Sequence, residues 1–331
     1  MYFYRNQSTN PYFNLALEEY LFMHEQLKMP LFMLWQNDNT IVVGRNQNVM
    51  EEINLQFVND MNTKVVRRNT GGGTVYHDLG NVNYTFIQEK DSSIGMDFSQ
   101  FSVPIIKTLQ KWGVKAECTK RNDLRINDFK FSGTAQTEKK GRILHHGTLL
   151  FNSDLNFLRA ALRTKNDKFQ SKSIQSVRSS ITNISEHLSE KISIDDFFNE
   201  LINVMQAEAS LESLLLSERD LSEINKLVQD KYQKWEWNYG HSPGYQVEKV
   251  RCLSNDSNPI KIKIDVNRHG RINTIQFEGP FNGRIQIQDL ENILKNKEMK
   301  SAVLLETLSF CNINNFMPEI NSNELVEMIL N

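Results

Sequence analysis

Apolar residues recur at helical spacing at Phe13, Ala16, Leu17, Tyr20 and Leu21, giving one face of a helix that Asn10 can cap and Pro11 can start. Two β-type runs follow, Leu31 to Trp35 and Thr40 to Gly44, separated by the polar turn Asn37-Asp38-Asn39. Beyond the polar loop at Arg45-Asn46-Gln47-Asn48, a short helix over Asn54 to Met61 leads into a strand at Lys64 to Arg67. The pattern then predicts an amphipathic helix over Phe98 to Trp112, interrupted or started near Pro104, and strands at Val114–Cys118, Asp123–Ile126 and Phe129–Ala135. If Asn127-Asp128 is a two-residue hairpin turn, Ile126 faces Phe129 and Arg125 pairs with Lys130. Asp123 and Ser132 then share the Lys130 face. A one-residue slip in register would reverse these faces.

Arg142 to Phe151 continues the sheet, and Ser153 or Asp154 can begin a helix through Leu162. Lys165 to Asn183 has no clean period and reads as a long Lys-, Ser- and Asn-rich loop of the functional or disordered kind. Helices return over Ile194–Ala207 and from the candidate cap Ser217 to Tyr232. Strands at Gln246–Cys252, Ile260–Val266 and Ile272–Glu278 precede helices at Ile287–Leu294 and Ser301–Cys311. This order predicts an α/β (α+β) protein with a larger domain over 1–240, a linker at 241–245 and a small α/β accessory domain over 246–331.

Composition changes this picture little. The chain has 331 residues, 39% hydrophobic and 24% charged, with a net charge of −2. These are the proportions of an ordinary globular protein, and they give no reason to expect broad binding to nucleic acid or to an anionic membrane. No secretory leader or bilayer-spanning run is legible. Cys118, Cys252 and Cys311 are odd in number and far apart, as reduced thiols of a cytosolic protein would be.

The candidate chemistry concentrates in Val65 to Ile87, VVRRNTGGGTVYHDLGNVNYTFI. Arg67 and Arg68 offer forks of donors to a phosphate or carboxylate. Gly71, Gly72 and Gly73 let the backbone approach a ligand and point its N–H groups at an anion. No Gly-Lys-Ser/Thr follows, so this is not a Walker loop, and the triplet joins β segments rather than opening a helix. Taken alone, these residues fit a glycine-rich hairpin with solvated arginines as well as a ligand loop. Asn81 and Asn83 lie two apart on a strand and share a face. His145 and His146 point to opposite faces, and neither has zinc-like spacing with His77, so no structural metal site is expected.

The run Arg67-Arg68-x-x-Gly71-Gly72-Gly73-x-Val75-x-His77-Asp78-x-Gly80-Asn81 resembles the signature of the lipoate-protein ligases, relatives of the biotin ligases. So do Arg121-Asn122-Asp123-Leu124, Lys130-Phe131-Ser132-Gly133-x-Ala135, His145-His146-Gly147-Thr148-Leu149 and Ser176-Val177-Arg178-Ser179, in the same order. The resemblance implies a biotin/lipoate-ligase-like mixed-sheet catalytic domain with a small C-terminal domain. It also implies that ATP and lipoate give lipoyl-AMP, from which a lysine of an acceptor lipoyl domain takes the lipoyl group. Acceptors would be E2 subunits of 2-oxoacid dehydrogenases and the glycine cleavage H protein, with Mg²⁺ accompanying ATP, in the cytoplasm, and with neither nucleic acid nor membrane as partner.

Carried across by the motif, Arg68, Gly73, Thr74, Val75 and Tyr76 would contact ATP or the adenylate. Arg67, Gly71 and Gly72 would serve the lipoate side, with Arg67 supporting the loop. Lys130 would touch both the acyl carboxylate and the α-phosphate as the catalytic cation. Asn81, Asn83, Asn122, Asp123, His146 and Arg178 are candidate adenylate or Mg²⁺ contacts; the first four are equally readable as structural, His146 reads more readily as a hydrogen-bonded structural histidine, and the alternative for Arg178 is a solvated basic loop. Val75, Tyr76, Leu149 and Leu150 can line an acyl tunnel or fill a core. Lys165, Lys168, Lys172 and Arg178 would lie on a loop that closes over the adenylate, although Lys120, Ser173 and Ser180 depart from the family's usual residues. Two other readings stand beside the ligase: an acyltransferase using preformed acyl-AMP or another donor, and a noncatalytic adenylate-binding regulator. A thioester route is disfavoured because none of the glycine-loop, lysine or His-His-Gly-Thr blocks contains a cysteine.

Overall fold

The computed structural model describes residues 1–24, 27, 29–90, 99–120, 122–162, 167–177, 179–252 and 259–331. The chain forms two compact units. The first comprises Met1–Arg45, Thr63–Arg159 and Ser176–Lys234; the second comprises Asn46–Asn62, Ala160–Gln175 and Trp235–Asn331.

The first unit is built on a six-stranded sheet in the order Thr134–Lys139, Arg142–Leu150, Asn81–Glu89, Leu31–Trp35, Tyr2–Arg5 and Glu212–Ser213. On its central strands Val82, Tyr84 and Phe86 alternate with Asn81, Asn83 and Thr85, so one face is apolar and the other polar. The apolar face packs with Phe32, Leu34, Phe131, Leu149, Phe151 and Phe197 in one core. Leu149 is therefore a core residue. Helices Val103–Lys111 and Ile194–Glu208 close that side; a capping box between Ser193 and Asp196 starts the second of them. Two three-stranded sheets complete the unit, Lys64–Arg67/Thr40–Val43/Val75–His77 and Ala116–Cys118/Leu124–Ile126/Phe129–Ser132. The first helix, Pro11–Met23, begins at Asn10, whose side chain accepts from the Tyr12 N–H as expected.

Gly80 leaves no room for a side chain. Its carbonyl accepts from the backbone N–H groups of both Phe151 and Asn152, and a Cβ placed on it would lie 2.1 Å from the Asn152 carbonyl oxygen. Backbone cannot yield as a flexible side chain does. Gly80→Ala is expected to destabilise the protein by about 3 kcal/mol, read as a lowered denaturant midpoint.

In the second unit Lys168–Ser171, Tyr245–Arg251, Ile260–Val266 and Ile272–Glu278 form an antiparallel sheet. Ile260, Ile262, Ile264 and Val266 face its core, where helices Ile287–Leu294, Ser301–Ser309 and Ser322–Leu330 pack.

Several expectations are corrected. The start near Pro104 is borne out: the α-helix begins at Val103, with Pro104 in its first turn, and only the stretch before it differs, forming a 3₁₀ turn over Ser99–Ser102, while Phe98 lies outside the described residues. The expected loop from Lys165 contains a strand, Lys168–Ser171, whose backbone bonds to Tyr245–Glu248 supply the order that its side-chain pattern lacks. The helix from Ser217 is α-helical to Leu227 and π-helical over Val228–Tyr232. Helices Val49–Glu52 and Ser322–Leu330 were not anticipated.

Candidate functional site

The glycine turn joins strand Lys64–Arg67 to strand Val75–His77. Arg67 is fully buried and donates from Nη1 to the carbonyls of Gly44 (2.9 Å) and Arg45 (3.2 Å). Arg68 is buried beneath the turn and fastens it. Its Nε donates to Thr70 Oγ1 (2.9 Å), its Nη1 to the Val42 carbonyl (3.1 Å), and its Nη2 to the carbonyls of Gly71 (2.6 Å) and Gly73 (2.7 Å). These carbonyls point at Arg68, as a turn that offers N–H groups outward requires. Gly72 has φ of +88°, and a Cβ there would lie 3.0 Å from Arg68 Nη2, so glycine is needed for both conformation and space. Burial lowers the pKa of each arginine to about 10, with Glu18 partly opposing the effect at Arg68; both stay cationic at neutral pH.

Behind the turn runs a directed chain of hydrogen bonds. Thr70 Oγ1, which accepts from Arg68, is 2.8 Å from His146 Nε2, and His146 Nδ1 is 2.8 Å from Glu18 Oε1. From the other side Trp35 Nε1 donates to Thr85 Oγ1 (2.9 Å), which donates to the same Glu18 oxygen (2.7 Å). A singly protonated His146, donating from Nδ1 and accepting at Nε2, satisfies every link, and Glu18 ends the chain as the acceptor. His146 thus joins the site as a support of the turn.

His77 is buried against Asn37 Nδ2, 3.0 Å from its Nδ1, and its Nε2 meets no hydrogen-bond partner among the described residues. Burial, then Arg68 and His146, hold its pKa down to about 3; burial and then His146 do the same for His145. In the unfolded chain a histidine titrates near 6.5, so below that pH the unfolded state takes up protons that these native rings refuse. Stability must therefore fall as pH drops from about 6.5 toward 3, by roughly 1.4 kcal/mol per pH unit for each ring. The denaturant midpoint at pH 5 is expected below that at pH 7, with His145→Gln shrinking the gap; a midpoint indifferent to pH would refute this.

Lys130 sits on the hairpin Leu124–Ile126/Phe129–Ser132, whose turn residue Asn127 has φ of +54°. Arg125 opposes Lys130 and Ile126 opposes Phe129, as expected, but a bulge after Leu124 pairs Leu124 with Ser132. Asp123 meets Lys130 as expected from a shared face, while the bulge buries Ser132 together with Leu124 and Phe131 and leaves Phe129 largely exposed. Lys130 Nζ lies 2.6 Å from Asp123 Oδ1, and its side chain packs over Gly133, where a Cβ would be 3.2 Å from Nζ. Its backbone bonds Ser180 and Thr182. The two halves of the motif set converge here. Gly72 would bring a Cβ within 3.8 Å of Ala135, just beyond Lys130-Gly133, while Ser176 Oγ accepts from the Thr74 N–H at 2.9 Å.

The remaining candidates divide. Asn81 Nδ2 donates to Asn83 Oδ1 (2.9 Å), and both are buried on the polar sheet face. Asn122 has φ of +63°, so its backbone shapes the turn before Asp123. Tyr76 is buried and stacks on Phe157 at 4.7 Å, and Val75 is half-buried. Lys168 is highly exposed, 3.5 Å from Glu248, within the second unit, and Lys172 is exposed. Arg121, Lys165 and Arg178 lie outside the described residues. Among the described residues no three His, Cys, Asp or Glu converge as a metal site, and no helix is long and apolar enough to cross a membrane.

Residues 10–206 match the family model described as the lipoyl protein ligase A/B catalytic domain, and residues 243–329 match the bacterial lipoate protein ligase C-terminus. The chain belongs to the lipoate-protein ligase family. It is 37% identical to lipoate–protein ligase 1 of Staphylococcus aureus, covering 98% of each chain, and 35% identical to lipoate-protein ligase LplJ of Bacillus subtilis, covering 99% of this chain and all of that one. Among solved structures, a lipoate-protein ligase A bound with ATP aligns with TM-score 0.61 and 25% identity over 72% of this chain and 97% of its own. Plasmodium falciparum LipL1 in complex with lipoate aligns with TM-score 0.60 and 25% identity over 99% and 98%. The mixed-sheet ligase fold with a C-terminal accessory domain, expected from the motifs, is the fold found.

In this ligase, sequence reasoning overlooked Glu18, Trp35, Asn37 and Thr70. A signal existed for Glu18, whose helical neighbours Leu15, Leu21 and Phe22 are apolar, so that its carboxylate is carried into the core. Ser176 stood in a quoted motif, but its bond to Thr74 joins positions 102 apart and has no local signature.

Proposed function

We propose that this ligase activates lipoate with ATP and transfers the lipoyl group to a lysine of an acceptor lipoyl domain. In the first step a carboxylate oxygen attacks the α-phosphorus, a P–O bond forms, and pyrophosphate leaves with the electrons of the bond that breaks. In the second, the acceptor's ε-amine attacks the acyl carbon, the amide C–N bond forms, AMP leaves, and the amine gives up its proton. Both steps gather negative charge, so fixed cations and backbone donors are the catalytic resource, and positioning does the rest. Lys130 neutralises the carboxylate and α-phosphate and then the acyl oxyanion. The turn from Gly71 to Tyr76, braced by Arg67 and Arg68, receives the nucleotide phosphate and the lipoyl carboxylate. The supporting observation is convergence: the Arg68-braced turn lies beside Ala135, and residues 176–182 reach both Thr74 and Lys130.

Asp123, already beside Lys130, offers one carboxylate, so Mg²⁺ would arrive on the phosphates of ATP and screen their charge. Asn81, Asn83 and Asn122 are assigned to order the turn and hairpin, and Arg178 to the adenylate-covering loop. The acceptors would be E2 subunits and the glycine cleavage H protein, in the cytoplasm, without nucleic acid or membrane. Catalysis is assigned to 1–240, with the joint at 241–245 and an accessory domain at 246–331 to which segments 46–62 and 160–175 add. Pyrophosphate release from ATP and Mg²⁺ that requires free lipoate, followed by modification of an added apo lipoyl domain, is the expected result. Modification only from synthetic lipoyl-AMP would replace the ligase with the transferase.

A further inference from the structure

The last helix of the first unit ends in a polar cluster that the ligation chemistry does not itself use. Helix Glu218–Leu227 widens into the π-helical turn Val228–Tyr232, a distortion found often at functional sites. Lys231 Nζ donates to Glu19 Oε1 (3.0 Å) and Oε2 (2.8 Å) and to Asn69 Oδ1 (2.7 Å). The Tyr232 hydroxyl donates to Glu19 Oε2 (2.7 Å) and accepts from Asn69 Nδ2 (2.7 Å). Asn69 stands between Arg68, whose guanidinium holds the Gly71 and Gly73 carbonyls, and Thr70, whose hydroxyl accepts from Arg68. Both ends of its own amide are held by adjacent residues of another element. That element is anchored in turn, since Tyr20 of the first helix bonds Asp220 at 2.5 Å.

We propose that Lys231 and Tyr232 are positioning residues for ligation, clamping Asn69 so that Arg68 to Gly73 keep the conformation that receives the adenylate phosphate. The proposal rests on the assignment of that turn to the adenylate. A turn with three consecutive glycines has many conformations available, and hydrogen bonds to charged or buried partners are what select one. Burial works against the charged forms of both Glu19 and Lys231. At Glu19 the Lys231 charge and the hydrogen bonds from Lys231, Tyr232 and Asn69 together outweigh burial and hold its carboxyl below the usual range, while burial leaves Lys231 below its own. The ammonium and carboxylate stay in contact at 2.8 Å beside Asn69.

The test is a double-mutant cycle on the full chain, reading kcat and KM for ATP in lipoate-dependent pyrophosphate release, with Tm measured alongside. Tyr232→Phe and Asn69→Ala are each expected to lower kcat/KM for ATP about tenfold, and the double variant no further, because both break one linkage. Lys231→Arg should retain more activity than Lys231→Met. Losses that multiply in the double variant would overturn the clamp, as would a lowered Tm with unchanged activity per folded molecule. Gly73→Val separates the two assignments. If it is inactive while Tyr232→Phe and Asn69→Ala match wild type, the clamp alone fails; if it too matches wild type, the turn is not the adenylate site.

Discussion

Lys130→Ala is expected to reduce lipoate-dependent pyrophosphate release and acceptor modification by about 10³-fold, the upper range for deleting one electrostatic contact to a developing anion. The side chain is held by Asp123 at 2.6 Å and lies close over Gly133, where a Cβ would press on it at 3.2 Å. It is partly exposed, so its removal creates no buried cavity, and the Asp123 carboxylate left behind is within reach of water. Folding should survive, with Tm changed little. The hairpin backbone keeps Lys130's place through Ser180 and Thr182 whatever the side chain. Because the lysine is assigned to both half-reactions, synthetic lipoyl-AMP should not restore acceptor modification. Near wild-type kinetics would refute the assignment. Full rescue by the preformed adenylate would confine Lys130 to the first step.

Elements that carry their own local signal, a cap or a strict alternation, were legible in the sequence. Asn10-Pro11 and the run from Phe13 to Leu21 give the first helix, and the alternation in Ile260–Val266 gives the central strand of the second unit. Elements held by their neighbours were not legible. Lys168–Ser171 is a strand because Tyr245–Glu248 supplies its bonds, and Val49–Glu52 is a single turn, too short to show a period. Ser322–Leu330 was readable and overlooked: Asn321 and Glu324 form a capping box before Leu325, Val326, Ile329 and Leu330. The bulge after Leu124 follows from placing Leu124 and Phe131 in one core, a tertiary demand that strict alternation cannot express. The glycine turn and Lys130, the centre of the proposed site, lie in contiguous motifs that a linear reading can pick out. Glu18, Thr70 and Trp35 act through a chain that crosses elements, and residue spacing does not reveal which buried polar groups satisfy one another.

Arg68→Lys, conservative in charge, is expected to cost about 10²-fold in kcat/KM for ATP, because a turn misplaced by about 1 Å loses that much. The guanidinium bonds at once to Thr70, Val42, Gly71 and Gly73, four acceptors spread around a planar fork. An ammonium concentrates its three donors at one point and cannot span that set. At least one buried carbonyl is then left without its donor, which should lower stability by about 2 kcal/mol. Thr70 loses the bond that joins it to Arg68, so the chain through His146 to Glu18 no longer fixes the turn. Gly72→Ala attacks the same bond from the other side. Its Cβ would sit 3.0 Å from Arg68 Nη2, on a residue whose φ of +88° a side chain resists. The double variant should lose less than the product of the two single losses, since either change alone already loosens the Arg68 grip on Gly71 and Gly73. Wild-type kcat/KM for ATP in Arg68→Lys would mean that the turn holds its shape without the fork, and that charge alone is what this position supplies.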